Sequence, residues 1–165
     1  MNTKSYTFNG ELDKSFDSWE RWVNDALSIC KLLGCEANYY SVGTIGKSGK
    51  TSAIAGLQRK ITNAKKKNDE ITWISIFVLP KEFSSVIFDY AITLSRNENY
   101  VTVAINEEYI APIAEETIID ILRRNIEFSS GEVYEMDIYD CPESYAAKAN
   151  PKEKFKSLKV IKSLV

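Results

Sequence analysis

The sequence predicts an α+β fold, with a mostly antiparallel sheet and helices packed mainly on one of its faces. Two segments with helical spacing of apolar residues precede residue 70, and a third follows residue 110. Between them lie three strand-like segments with no helix to separate them, which argues against a βαβ architecture. Most of the strand-like segments alternate apolar and polar side chains, the pattern of a sheet covered on one side. The 165 residues, 44% hydrophobic and 27% charged, suit one core. We place that domain at residues 1–145, with a lysine-rich C-terminal segment at 146–165.

The expected order is β-α-β-α-β-β-β-α-β. Residues 4–8 alternate, with Tyr6 and Phe8 on one side, and Asn9-Gly10 marks a turn. Phe16, Trp19, Val23, Ala26, Cys30 and Leu33 then recur at helical spacing. Ser15 is placed to cap that helix, Asp17 falls in its first turn and Gly34 is placed to stop it. Trp19 reads as core; Trp22 fits either the core edge or an exposed contact. Residues 38–42 read as a second strand, and 43–49 as a Gly- and Lys-rich turn. Ile54, Leu57, Ile61 and Ala64 line a second helix, capped by Thr51 or Ser52. That helix closes on Lys65-Lys66-Lys67-Asn68, where cations suit the negative end of the helix dipole.

Residues 71–79, ITWISIFVL, are apolar on both faces and are expected as the central strand, ended by Pro80. Val86, Phe88, Tyr90, Ile92 and Leu94 alternate with their neighbours, as do Val101, Val103 and Ile105. The polar link Arg96-Asn97-Glu98-Asn99 makes a hairpin of the two. Pro112 opens a third helix, with Glu115 and Glu116 in or near its first turn. Ile118, Ile121, Leu122 and Ile126 form its buried face, and Ser129-Ser130-Gly131 breaks it. Residues 133–139 alternate again, with Tyr134, Met136 and Ile138 inward. In the tail, Phe155, Leu158, Ile161 and Val165 fit helical spacing.

The chain contains no histidine. A Ser-His-Asp triad, a Cys-His dyad and histidine-ligated zinc or haem are thereby excluded. The three cysteines, Cys30, Cys35 and Cys141, form neither an even framework nor a CxxC pair, and read as free thiols in a reducing compartment. The first twelve residues lack a signal-type apolar core, and the longest apolar run is far short of the ~20 residues a membrane span needs. A cytoplasmic protein without a membrane partner is the expectation. Neither a cofactor nor a metal is expected.

Residues 44–51, TIGKSGKT, partly match the P-loop pattern G-x-x-x-x-G-K-[ST]. Gly49, Lys50 and Thr51 would supply the close turn, the phosphate-binding amine and the Mg²⁺-ligating hydroxyl. The first glycine position is Thr44, the preceding segment is polar, and residues 71–79 hold no acid for a Mg²⁺ site. A solvated loop before a capped helix is the preferred reading.

The net charge of −2 hides a separation. Residues 37–68 carry seven Lys/Arg and no acid. Residues 98–143 carry twelve acids and two arginines, and residues 144–165 six lysines and one Glu. The basic residues are not interleaved with aromatics, so nucleic acid is not the favoured partner. The acidic stretch also holds several tyrosines, and carboxylates that steer with tyrosines that anchor suit a basic protein partner. The expected contact residues are Glu107, Glu108, Tyr109, Glu115, Glu116, Asp120, Glu135, Asp137, Tyr139 and Asp140.

With the ITWISIFVL strand, and the FDYAITL…YVTVAINEEY hairpin followed by an acidic helix, this histidine-free chain resembles the immunity proteins of bacterial toxin systems, of the contact-dependent-inhibition and polymorphic-toxin type. That resemblance implies a protein that occludes a cognate toxin, often a basic one, with no catalytic residue. The alternatives are a divergent P-loop-like nucleotide-binding enzyme using Gly49, Lys50 and Thr51, and a phage or plasmid adaptor or anti-defence protein.

Overall fold

A computed structural model describes residues 2–148 and 150–164. Its strands are β1 (Asn2–Glu11), β2 (Tyr39–Thr44), β3 (Ser52–Ala53), β4 (Ile71–Val78), β5 (Ile92–Arg96), β6 (Tyr100–Asn106), β7 (Glu127–Asp137) and β8 (Lys159–Ser163). They form one antiparallel sheet in the order β3-β2-β4-β5-β6-β1-β7-β8. Its helices are α1 (Phe16–Leu32), α2 (Leu57–Lys67), α3 (Glu115–Arg123) and α4 (Pro142–Ala146). The α+β class and the antiparallel sheet are as expected.

Local chemistry places the helices. The Ser15 side chain accepts from the Ser18 N–H at the start of α1, and Gly34 takes φ +73° just past its end. Asn68, in the left-handed region, ends α2 after its three lysines. Glu115 and Glu116 open α3 directly after a 3₁₀ turn that begins at Pro112.

Register assigns the two faces. Tyr6, Phe8, Val101, Val103, Leu94, Ile74, Ile76, Val42 and Val133 share one face. They form the main core with Trp19, Trp22 and Ile29 of α1, Ile61 of α2, and Ile118 and Leu122 of α3. Trp22 is fully buried and its indole N–H donates to the Ile74 carbonyl at 3.2 Å, so it belongs to the core proper. The second face is covered by the 79–91 loop and the segment after β7. There Phe77, Tyr90 and Ile138 form one cluster, and Tyr134, Met136 and Phe155 another. One row across this face is entirely polar: Ser41, Ser75, Ser95, Thr102, Thr7, Glu132 and Ser163 stand in register on seven strands. Within it Ser75 and Ser95 share a hydrogen bond at 2.7 Å, and Thr7 and Thr102 one at 2.6 Å. Small hydroxyls satisfy one another where a larger polar group would be stranded.

Five expectations are corrected. β4 is an interior strand, third from one edge, and the centre of the sheet lies at β5 and β6. Residues 86–91 are a loop, because Asp89 accepts from the Ser84 and Ser85 N–H groups and turns the chain before β5 starts. Ser129-Ser130-Gly131 lies inside β7; α3 has already ended at Arg123. The apolar spacing around Leu158 and Ile161 belongs to an edge strand on β7, and Val165 lies outside the described residues. Neither Thr51 nor Ser52 caps α2, since Ser52–Ala53 pairs with β2 and the helix starts at Leu57. Among the described residues no helix is long and apolar enough to cross a membrane.

Candidate functional site

Three turns meet at one end of the sheet. Asn2 pairs with Asp137 and Thr3 with Asn106, so β6 and β7 finish beside each other across β1. Ile92 pairs with both Val78 and Ile105, which brings the 79–91 loop to the same end. Each turn is held by a side-chain acceptor at its start or base. Asn106 Oδ1 accepts from the Glu108 N–H at 3.3 Å, and Asp137 Oδ1 from the Tyr139 N–H at 2.9 Å. Asp89 Oδ2 accepts from the Ser84 and Ser85 N–H groups at 2.7 and 2.8 Å, and those bonds hold its carboxyl below the usual range. Short side-chain-to-backbone bonds of this kind fix loop geometry without regular structure.

The turns enclose a groove of about 470 Å³. Its floor and walls carry Phe88, Tyr90, Tyr109, Tyr139 and Ile138, and its acids are Glu82, Asp89 and Glu108. Among the described residues no lysine or arginine lines it. Phe88 and Tyr139 are in ring contact at 5.6 Å, which leaves the outer face of Tyr139 open to solvent at 69% exposure. Ile87 and Tyr109 are also exposed, and Ile113, four residues beyond Tyr109, is 96% exposed. Large exposed apolar side chains gathered at one place mark interaction surfaces. Glu82, Asp89, Glu107 and Glu108 form no ion pair among the described residues.

The ten expected contact residues divide. Glu107, Glu108, Tyr109, Asp137 and Tyr139 come together at this end of the sheet. Asp140 lies next to them, but its carboxylate accepts from the Ser157 N–H and hydroxyl and so anchors the C-terminal segment. Glu115 faces Lys4 at 2.9 Å and Lys162 at 3.0 Å. Burial opposes its ionisation, but the bonds from those two lysines outweigh that and hold its carboxyl below the usual range. Glu116 stands 3.7 Å from Lys162, and Glu135 opposes Lys4 in the β1–β7 register. Asp120 is exposed on α3. These four lie on the α3 side, where lysines of β1 and β8 balance the charge.

Sequence reasoning missed Glu82, Phe88 and Asp89. All three sit in or just before a stretch whose alternation imitates a strand. The available signal was Ser84-Ser85 four and five residues ahead of Asp89, a local acceptor pattern.

The P-loop-like segment has another use. Thr44 and Lys47 close a tight turn, and Ser41 Oγ donates to the Gly49 carbonyl at 3.2 Å. A Cβ at Gly49 would overlap the Val42 carbonyl, so glycine there permits the chain to pass closely along β2. Six residues separate Lys50 from Leu57, where α2 starts, so the α2 N-terminus does not follow directly on this loop. Cys30 is buried, with its thiol pushed up to about 12 by desolvation, while Cys35 and Cys141 are half-buried. Among the described residues no group of three His, Cys, Asp or Glu is placed to hold a metal ion.

A second cavity, of about 320 Å³, opens between the second sheet face and the C-terminal segment. Glu132 accepts from the Tyr145 hydroxyl within it at 2.6 Å, and Lys148 and Lys152 stand in its wall. That pairing fastens the segment to the sheet. A scan against protein-family models, a search of the curated proteins and a search of the solved structures each find no match to this chain.

Proposed function

We propose that this chain is a cytoplasmic protein-binding module that takes a basic protein partner at the groove, and that it works as an immunity protein occluding a bacterial toxin. One observation supports the reading: among the described residues, carboxylates without an ion-pair partner stand beside exposed aromatic rings, in a groove lined by no lysine or arginine. Carboxylates without internal counter-ions steer an approaching basic surface, and aromatic side chains anchor it once water is excluded. Binding of this kind needs no chemical step, only coverage of the partner's working surface.

The test uses the partner retained by the immobilised chain from its native host. The variant Glu82→Gln/Glu107→Gln/Glu108→Gln is expected to associate about tenfold more slowly at low salt and to lose most of its salt dependence. Tyr139→Ala is expected to raise the dissociation rate. Affinity and salt dependence unchanged in both variants would overturn the proposal.

A further inference from the structure

We infer that the groove is built for a guanidinium: its occupant is an arginine side chain projecting from the partner. This rests on the docking reading above and narrows it to one side-chain chemistry. The groove offers flat apolar surface from Phe88, Tyr109 and Tyr139, with the acids Glu82, Asp89 and Glu108 among its lining. An ammonium is a compact, strongly hydrated charge and gains little from ring faces in a half-enclosed space. A guanidinium is planar and weakly hydrated; it stacks on aromatic faces while its edge donates to carboxylates.

The acids are arranged for such an edge. Asp89 uses Oδ2 for the Ser84 and Ser85 N–H groups, and no described donor occupies its Oδ1. Glu82 and Glu108 are exposed and carry no ion pair among the described residues. The contrast within the molecule is direct. Glu115 and Asp25 hold Lys4, Lys162 and Arg124 within 3.0 Å, and neither lines an aromatic groove. At this end of the sheet, among the described residues, acids without an ion pair and exposed rings share one cavity.

The experiment titrates the whole chain with hexa-arginine and with hexa-lysine, followed by amide and side-chain NMR shifts. Hexa-arginine is expected to shift the resonances of Glu82, Asp89, Tyr109 and Tyr139. It should bind about fivefold tighter than hexa-lysine, the scale of one cation–π contact. Tyr139→Ala, a substitution at an exposed position, should remove that preference, while Glu108→Gln should weaken both peptides alike. Equal affinity for the two peptides at the groove would overturn the guanidinium assignment and leave the docking reading standing. Shifts confined to α3, or none, would overturn both.

Discussion

Arg96 is fully buried, yet no carboxylate lies within ion-pair distance of it among the described residues. It donates instead to the Asp13 carbonyl at 2.7 Å, the Asn125 carbonyl at 3.1 Å and Ser18 Oγ at 3.3 Å, and it lies 4.3 Å over the Trp19 ring. One side chain thus ties the start of α1 and the α3–β7 turn to the end of β5. Removing it takes the donor from the buried Asn125 carbonyl and the stack from Trp19, while the Asp13 carbonyl keeps the Ser18 hydroxyl, so Arg96→Ala should cost about 2 kcal/mol in a denaturant titration. Arg96→Lys should recover less than half of that, because a single ammonium cannot reach three acceptors and stack as well. A cost below about 1 kcal/mol would show that water replaces the guanidinium.

Burial also sets the alkaline behaviour. Desolvation lowers Arg96 to about 10, so its term favours the folded state as pH rises above that value. Desolvation raises Tyr6, Tyr90, Tyr100, Tyr134 and Tyr145, with Tyr134 reaching about 12. A raised tyrosine stabilises below its unfolded value near 10, and that stability disappears as pH climbs through the folded value. Those five groups, joined by the Cys30 thiol that desolvation raises to about 12, stand against one arginine and give a net loss in the alkaline range. Tyrosinate absorbance of the buried set should therefore rise together with loss of the far-ultraviolet dichroism; ionisation without unfolding would contradict the burial.

At the scale of elements, what was legible in the sequence was what is decided locally. The three long helices announced themselves by their apolar period, but cap, period and stop were all legible only in α1, at Ser15, Trp19 and Gly34; the cap expected for α2 and the stop expected for α3 were not the ones used. The strands of the central hairpin were legible for the same reason. The 86–91 loop was not, since Val86, Phe88 and Tyr90 continue a strand-like alternation while bending over the second face. β8 was not legible either: four of its five residues pair with β7 through contacts more than twenty residues away, and Lys162 reaches Glu115 on α3. The candidate site was half visible. Tyrosines and acids could be counted, but which acids lysines balance depends on where β1 and β8 lie.

The β7–β8 junction is testable. A Cβ at Gly131 would lie 2.6 Å from Phe8 Cδ1 and 2.9 Å from Leu164 Cβ. Gly131→Ala should cost about 1–3 kcal/mol and speed amide exchange in β8 more than in β5. Lys162→Ala, which removes a largely exposed partner of Glu115, should cost only about 0.5 kcal/mol. Equal exchange in β5 and β8 after either change would mean that β8 is not separately fastened.

At the scale of the molecule, β1 is inserted between β6 and β7, its partners 91 to 135 residues away in the chain. Deleting residues 2–11 leaves both neighbours with open interior edges and should abolish cooperative unfolding. Deleting 159–164 removes only an edge strand and should preserve it, with a lower melting temperature. A sheet dominated by such distant pairings should fold in milliseconds to seconds, and stopped-flow refolding in microseconds would argue against this strand order. Charge is also separated at this scale. The lysines of the 43–51 turn and α2 belong to the β2–β3 edge, whereas the groove opens where β6, β1 and β7 end.

The position of β1 has a consequence for biosynthesis. Its alternating side chains, Tyr6 and Phe8 among them, leave the ribosome well before β6 exists to receive them. At about 5–20 residues per second the wait is on the order of 5–20 s. For that interval an apolar strand with two unpaired edges is presented to every other nascent chain and to chaperones that bind extended apolar segments. Because the last partner, β7, follows β1 by more than a hundred residues, the groove at their shared terminus is completed only once β7 has emerged. The groove proposed here for docking therefore does not exist on the nascent chain until β7 has joined β1.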